Sequence, residues 1–158
     1  MDADPRTYNV LDGPLDVERE DQHPGYAVGG TLVGEHLGTE QLGVTLYVLP
    51  PGNANAPYHW HHNTEELLFV LDGAPTLRTP DGARQLRPGD LVSFPRGAEG
   101  AHKVGNESDA EARYLVFSTK PDIDIVEYPD SGKVGLGSKG RGSRMLRAGE
   151  DVDYWDGE

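Results

Sequence analysis

An all-β fold, an antiparallel sandwich or barrel, is what this sequence predicts, on three observations. Runs of four to six residues rich in β-branched and aromatic side chains recur between Gly43 and Ser118. Turn signals such as Asp72-Gly73, Asp81-Gly82 and Arg87-Pro88-Gly89-Asp90 separate them at intervals of eight to ten residues. No window longer than about ten residues carries an i, i+3, i+4, i+7 apolar pattern free of Gly or Pro, which leaves little room for helix.

Taken in order, residues 1–25 are polar and broken by Pro5, Gly13, Pro14 and Pro24, without a sustained period of 2 or 3.6, and read as an extended N-terminal arm. Residues 26–120 read as the β-domain. Its strands are expected at Tyr26 to Val33, Gly43 to Leu49, Glu66 to Leu71, Pro75 to Arg78, Ala83 to Leu86, Leu91 to Phe94 and Ala112 to Ser118. Pro50-Pro51-Gly52 ends the second of these sharply. Residues 121–158 form a C-terminal extension: Ile123, Ile125 and Val126 suggest one short strand, and Tyr128 to Gly149 is rich in Gly and Ser. That stretch carries Lys133, Lys139, Arg141, Arg144 and Arg147, and an acidic run from Glu150 to Glu158 follows. Composition alone would allow disorder there. Leu136, Met145, Leu146, Val152, Tyr154 and Trp155 offer anchors, so the extension is expected to pack on the barrel or on a second subunit.

At 158 residues one domain is the default, and a chain of that size buries roughly 70% of its unfolded surface. With no cysteine, disulfides, thiolate metal sites and cysteine nucleophiles are excluded, so a metal site must use histidine and oxygen. The net charge of −13, from 27 acidic and 14 basic residues, repels phosphate backbones and argues against a nucleic-acid partner. The N-terminus lacks an apolar segment and no apolar run reaches membrane-spanning length, so a soluble cytoplasmic protein without a membrane partner is expected.

The chemistry concentrates in Gly52 to Gly73, where three histidines and two glutamates fall within eight residues (His59, His61, His62, Glu65, Glu66) and run into an apolar strand. On a strand, His59 and His61 share a face about 6.6 Å apart along the chain, close enough for two imidazoles to converge on one ion, while His62 points away. Strict alternation would add Glu65; a bend across Asn63-Thr64 would add Glu66 instead. Alternation cannot decide, because both faces of Leu67 to Leu71 are apolar. A fourth ligand is expected from His102, which follows the Leu91 to Phe94 strand and a Pro/Gly-rich loop. Three imidazoles and a carboxylate hold one divalent first-row ion (iron, manganese, nickel, cobalt, zinc or copper) and leave positions open for water, oxygen or substrate.

At these residues the chain resembles the cupin superfamily, whose fold is a double-stranded β-helix, or jelly roll. The first family motif is Gly, five residues, His-x-His, three or four residues, Glu, six residues, Gly. Gly52, His59, His61, Glu66 and Gly73 match it with one extra residue before His59, and the match selects Glu66 over Glu65. The second motif is Gly, five residues, Pro-x-Gly, two residues, His, three residues, Asn. Gly89, Pro95, Gly97, His102 and Asn106 match it with a loop of four residues, Ala98 to Ala101, in place of two. The resemblance covers roughly Gly43 to Ser118. It implies a metal-binding site at His59, His61, Glu66 and His102, a homodimer, which unpaired sheet edges also favour, and a small-molecule ligand.

Tyr58, Trp60, Phe69, Phe94 and Tyr114 are candidates to line the ligand cavity, since small jelly rolls keep one at the barrel mouth. Arg96 and Glu99, in the loop before His102, could bind a substrate carboxylate or move a proton. Asn106 reads as structural, and His23 and His36 as solvated. Two functions fit the ligand set. One is a metal-dependent enzyme on a small oxygen-rich molecule, performing dioxygenation, isomerisation or epimerisation, or lyase chemistry. The other is a non-catalytic module that binds or senses a small ligand or metal. No helix-turn-helix pattern accompanies the domain, and no general base stands out by spacing.

Overall fold

The computed structural model describes residues 6–19, 23–140, 142–149 and 151–157. Part of the expected N-terminal arm (residues 1–5 and 20–22), together with Arg141, Glu150 and Glu158 of the extension, lies outside them.

The chain runs β1 (Val17–Arg19), β2 (Val28–Thr31), a one-turn helix α1 (Val33–His36), β3 (Leu42–Leu49), β4 (Trp60–His61), β5 (Glu66–Asp72), β6 (Thr76–Thr79), β7 (Gly82–Gln85) and β8 (Leu91–Phe94). A 3₁₀ turn (Ala98–Gly100) follows, then β9 (Lys103–Gly105), β10 (Ala112–Thr119), β11 (Ile123–Tyr128), β12 (Lys133–Ser138) and β13 (Gly142–Arg147). All pairings are antiparallel, in three sheets of order β1-β2-β3-β10-β5-β8, β13-β12-β11-β4 and β7-β6-β9.

Side-chain alternation explains the core. Leu49 of β3, Leu68 and Val70 of β5, Phe94 of β8 and Tyr114 of β10 face the interior and meet Leu77 of β6 and Val104 of β9 across the barrel. The intervening residues Leu46, Phe69, Leu71 and Leu115 point to the other face of the large sheet, where Val33 of α1 and Tyr8 and Val10 of the N-terminal segment cover them. This cover is why β5 is apolar on both faces. It also places Glu66, two residues before Leu68, on the interior side.

Two glycines shape the turns that frame the site. Gly73 adopts φ +77°, and a Cβ there would lie 2.5 Å from Glu111 O, so the turn after β5 accepts only glycine. At Gly100 a Cβ would lie 1.8 Å from Pro95 O, so the loop before His102 folds back on itself only without a side chain.

The structure departs from the sequence expectations in two places. Val33, expected to end a strand, lies in α1. The Gly- and Ser-rich stretch after Tyr128, where no strand is expected, forms the β12–β13 hairpin, because β12 pairs along its whole length with β11 and then with β13. Tertiary pairing supplies there what local propensity does not. Through β11 the hairpin is joined to β4, with Val126 opposite His61 and Glu127 opposite Trp60. The expected anchors of the extension remain open to solvent, with Met145 53%, Tyr154 84% and Trp155 71% exposed. Among the described residues no helix is long and apolar enough to cross a membrane.

Candidate metal centre

Backbone pairing sets the cluster. His59 N donates to His102 O at 3.0 Å and His102 N to His59 O at 2.8 Å, which ties the segment before β4 to the segment before β9. The two imidazoles consequently lie 4.6 Å apart, centroid to centroid. His61, two residues along, presents its ring on the same face, 5.1 Å from that of His59. Glu66, the first residue of β5, brings its Oε2 to 3.6 Å from His61 Nε2 and 3.4 Å from His102 Nε2. His59, His61 and Glu66 offer ligand atoms that all lie within 4.8 Å of one another. Glu65 is exposed, so the glutamate that alternation left open is, by position, Glu66.

Each histidine is oriented through Nδ1. His59 Nδ1 pairs with Pro57 O at 2.8 Å, His102 Nδ1 with Gly100 O at 2.9 Å, and His61 Nδ1 with Asp124 Oδ2 at 2.5 Å. With Nδ1–H as donor in all three, every Nε2 keeps its lone pair free, the tautomer an ion needs. Phe94 lies flat against His102, 3.7 Å between centroids at 11°, which holds that ring in place from the core side.

The electrostatics favour a cation. Burial, with the neighbouring His59 adding to it, pushes His102 down to about 3; burial pushes His59 down to about 4. Both are neutral at physiological pH and compete weakly with a metal for protons. Burial also raises the Glu66 carboxyl, and the nearby Asp124 charge adds to that. Glu66 Oε2 is buried and accepts no hydrogen bond. A buried carboxylate oxygen aimed at imidazole lone pairs is costly unless a cation sits between them. The residues present therefore fit a divalent ion: His59, His61 and Glu66 form a group that could hold one, and His102 Nε2 lies beside it, 3.4 Å from Glu66 Oε2. A set of three nitrogens and one oxygen admits several first-row metals.

Asp124 is the part of this arrangement that sequence reasoning missed. Besides His61 Nδ1 it accepts from Asn63 N at 2.9 Å and Thr64 Oγ1 at 2.8 Å, fixing the whole β4–β5 connection. Burial alone would raise its pKa, but the hydrogen bonds from His61, Asn63 and Thr64 outweigh it and hold the carboxyl low. Asp124 lies 63 residues from His61 in sequence. Its one signal was local, an acidic residue between Ile123 and Ile125, which also describes any half-exposed strand.

His61, Glu66 and Asp124 line an open cleft of about 670 Å³ together with Ser118, Lys120 and Lys139. Of the pocket candidates, Phe94 packs on His102 as described. Tyr58 is buried and lines a separate cleft of about 530 Å³ with Tyr26 and Tyr128, the latter stacked on His59 at 5.9 Å. Tyr114 is fully buried in the core against Tyr47, and Phe69 packs on the face of β5 opposite Glu66, so neither meets the cleft. Arg96 is exposed and borders an adjoining open cleft of about 940 Å³; Glu99 is exposed on the 3₁₀ turn. His62 points outward, its ring tilted against Trp60 at 4.3 Å between centroids and its Nε2 3.1 Å from Glu127 Oε1. Asn106 is buried and structural in its contacts, donating to Leu49 O and Ala110 O and accepting from Ser108. His36 is not simply solvated: its Nε2 lies 2.7 Å from Asp16 Oδ2.

Comparison with known proteins agrees with this fold. The family model "Cupin domain" matches residues 45–118. Among solved structures, a candidate sugar phosphate isomerase from Acidithiobacillus ferrooxidans is similar at 31% identity over 78% of each chain, with a TM-score of 0.73. A sugar phosphate isomerase of the cupin superfamily from Silicibacter pomeroyi is similar at 29% identity over 76% of each chain, also at 0.73. The polyketide cyclase RemF of Streptomyces resistomycificus, at 22% identity over 72% of this chain and 78% of its own, shares the fold with a TM-score of 0.56. No curated protein matches the sequence. With one such relative above 30% identity over more than two thirds of both chains, and the barrel and both motifs in place, the chain belongs to the cupin superfamily.

Proposed function

We propose that this protein is a metal-dependent isomerase of a small polyhydroxylated carbonyl compound, with His59, His61, Glu66 and His102 as the ligands. One observation carries the reading: the buried ligand set reaches solvent through the cleft that His61 and Glu66 line, so a small molecule can meet the ion without opening the barrel. The similarity to two proteins named as sugar phosphate isomerases supports isomerisation among the reactions such a site permits. A divalent ion there supplies Lewis acidity toward adjacent carbonyl and hydroxyl oxygens. The chain's own residues do the rest. Glu66 brings one negative charge to three neutral imidazoles, leaving the centre net positive. Thr39, Thr64 and Ser118 border the cleft with hydroxyl groups suited to a polyol. Isomerisation moves one proton between neighbouring carbons and one between their oxygens, so it needs neither oxidant nor reductant.

The test is metal-replete protein incubated in deuterated water with a panel of aldoses, ketoses and their phosphates. Deuterium incorporation at the carbon next to the carbonyl, lost in His61→Ala, is expected. Ligand binding without exchange across the panel would replace this reading with the non-catalytic binding module.

A further inference from the structure

The chain has only four lysines, and two of them, Lys120 and Lys139, border both the cleft that holds His61 and Glu66 and the larger cleft adjoining it. They come from different parts of the chain, just after β10 and just after β12. Backbone bonds hold them at the same rim: Lys120 N donates to Gln41 O at 3.0 Å and Lys139 N to Asp122 O at 2.9 Å. Among the described residues Arg78 pairs with Asp130 and Arg87 with Asp90, while other cations, Arg84 and Lys133 among them, make no ion pair. Among the described residues neither lysine makes an ion pair; the one side-chain bond either forms is Lys120 Nζ to the Thr39 carbonyl at 3.4 Å. Arg96, also without an ion pair among the described residues, borders the adjoining cleft beside them. Glu40 and Asp122 line the same rim, yet the ammonium groups do not pair with them. What sets Lys120 and Lys139 apart is their place: both border the cleft that His61 and Glu66 line.

We propose that Lys120 and Lys139 form an anion subsite for the phosphate of a phosphorylated sugar whose carbonyl end reaches His61 and Glu66. This assignment rests on the isomerase reading for the carbonyl end, but the phosphate end stands or falls by itself. Two ammonium groups match a phosphate monoester dianion in charge, and lysine binds phosphate as a point charge without needing a fixed fork geometry. A carboxylate carries a single charge and leaves one lysine unmatched. The subsite makes phosphorylated sugars the substrate class and free sugars poor ligands.

Calorimetric titration of the metal-loaded protein tests this with inorganic phosphate, ribose 5-phosphate, ribose and galacturonate as probes. Lys120→Ala and Lys139→Ala are each expected to weaken ribose 5-phosphate about tenfold, in line with loss of one charge-assisted contact. The double variant should lose measurable inorganic phosphate binding while keeping its metal and its affinity for ribose. His61→Ala should lose metal but retain phosphate binding. Absence of phosphate binding by the unmodified protein, equal binding by the double variant, or galacturonate bound as tightly and with the same lysine dependence would each overturn the subsite. Failure of deuterium exchange with these binding results intact would instead remove the isomerase reading alone.

Discussion

Asp124→Asn isolates the support that the C-terminal extension gives to the proposed metal ligands. Asn keeps the shape of the side chain but removes the charge that His61 Nδ1–H meets at 2.5 Å, and offers an amide that can turn a donor toward the ring instead. The protected Nδ1–H tautomer of His61 then loses its advantage, and its Nε2 lone pair is no longer held toward Glu66. Loss of a carboxylate behind a ligating histidine typically weakens metal binding 10- to 100-fold, which is about 1.4 to 2.7 kcal/mol. The bonds to Asn63 N and Thr64 Oγ1 weaken with it, so the metal-free protein should also melt lower. Competition titration of metal-free protein with zinc, cobalt or manganese against a chelating dye gives the affinity. Glu127→Gln is the control: it removes the carboxylate beside His62, on the outward face of β4, and should shift affinity less than twofold. Equal affinities in Asp124→Asn and the unmodified protein, or the same loss in Glu127→Gln, would refute the proposed support.

Three further outcomes follow from the same geometry. His59 and His102 are held neutral by burial, whereas in the unfolded chain both protonate near 6.5; stability of the metal-free protein should therefore fall as pH drops from about 6.5 toward 4. Two histidines give a slope of at most about 2.7 kcal/mol per pH unit, partly offset because the raised Glu66 carboxyl takes up its proton in the folded state, and urea unfolding across that range measures it. Glu66→Gln should abolish stoichiometric metal binding yet raise the melting temperature of the metal-free protein at neutral pH, since it removes a buried, unpaired carboxylate oxygen; elemental analysis and calorimetry on one sample check both signs. Gly100→Ala forces a methyl group into Pro95 O, costing at least about 1 to 3 kcal/mol by urea unfolding, and moves the carbonyl that orients His102, so metal affinity should fall with it.

Much of this architecture was legible in the chain because antiparallel strands between turns leave local signals. The strands β3, β5, β8 and β10 begin and end within a residue or so of their expected positions. His59 and His61 lie on one face because a two-residue period needs no knowledge of the rest of the fold, and His102, some forty residues further on, lies with its ring 4.6 Å from that of His59. Glu66 was harder: β5 is apolar on both faces only because residues near Tyr8 and Val10 cover the outer one, and that cover is a tertiary fact. Phe69 failed as a pocket residue for the same reason. The β12–β13 hairpin was not legible at all, since its glycines and serines carry no strand propensity and its stability comes from pairing with β11.

That hairpin matters because β4 is two residues long and could not hold His61 by itself. A strand so short is positioned by what it pairs with, and in the described residues its strand partner is β11. The pairing that aligns Val126 with His61 also delivers Asp124 to the back of the imidazole and Lys139, at the end of β12, to the rim of the cleft. The extension therefore touches both ends of the same cleft, steadying His61 at one and supplying charge at the other. A barrel with both motifs intact but a different segment on β4 would keep its ligand residues and lose this combination. On the proposed function, the segment that pairs with β4 is then where metal affinity and substrate charge should differ between chains that carry these same ligand residues.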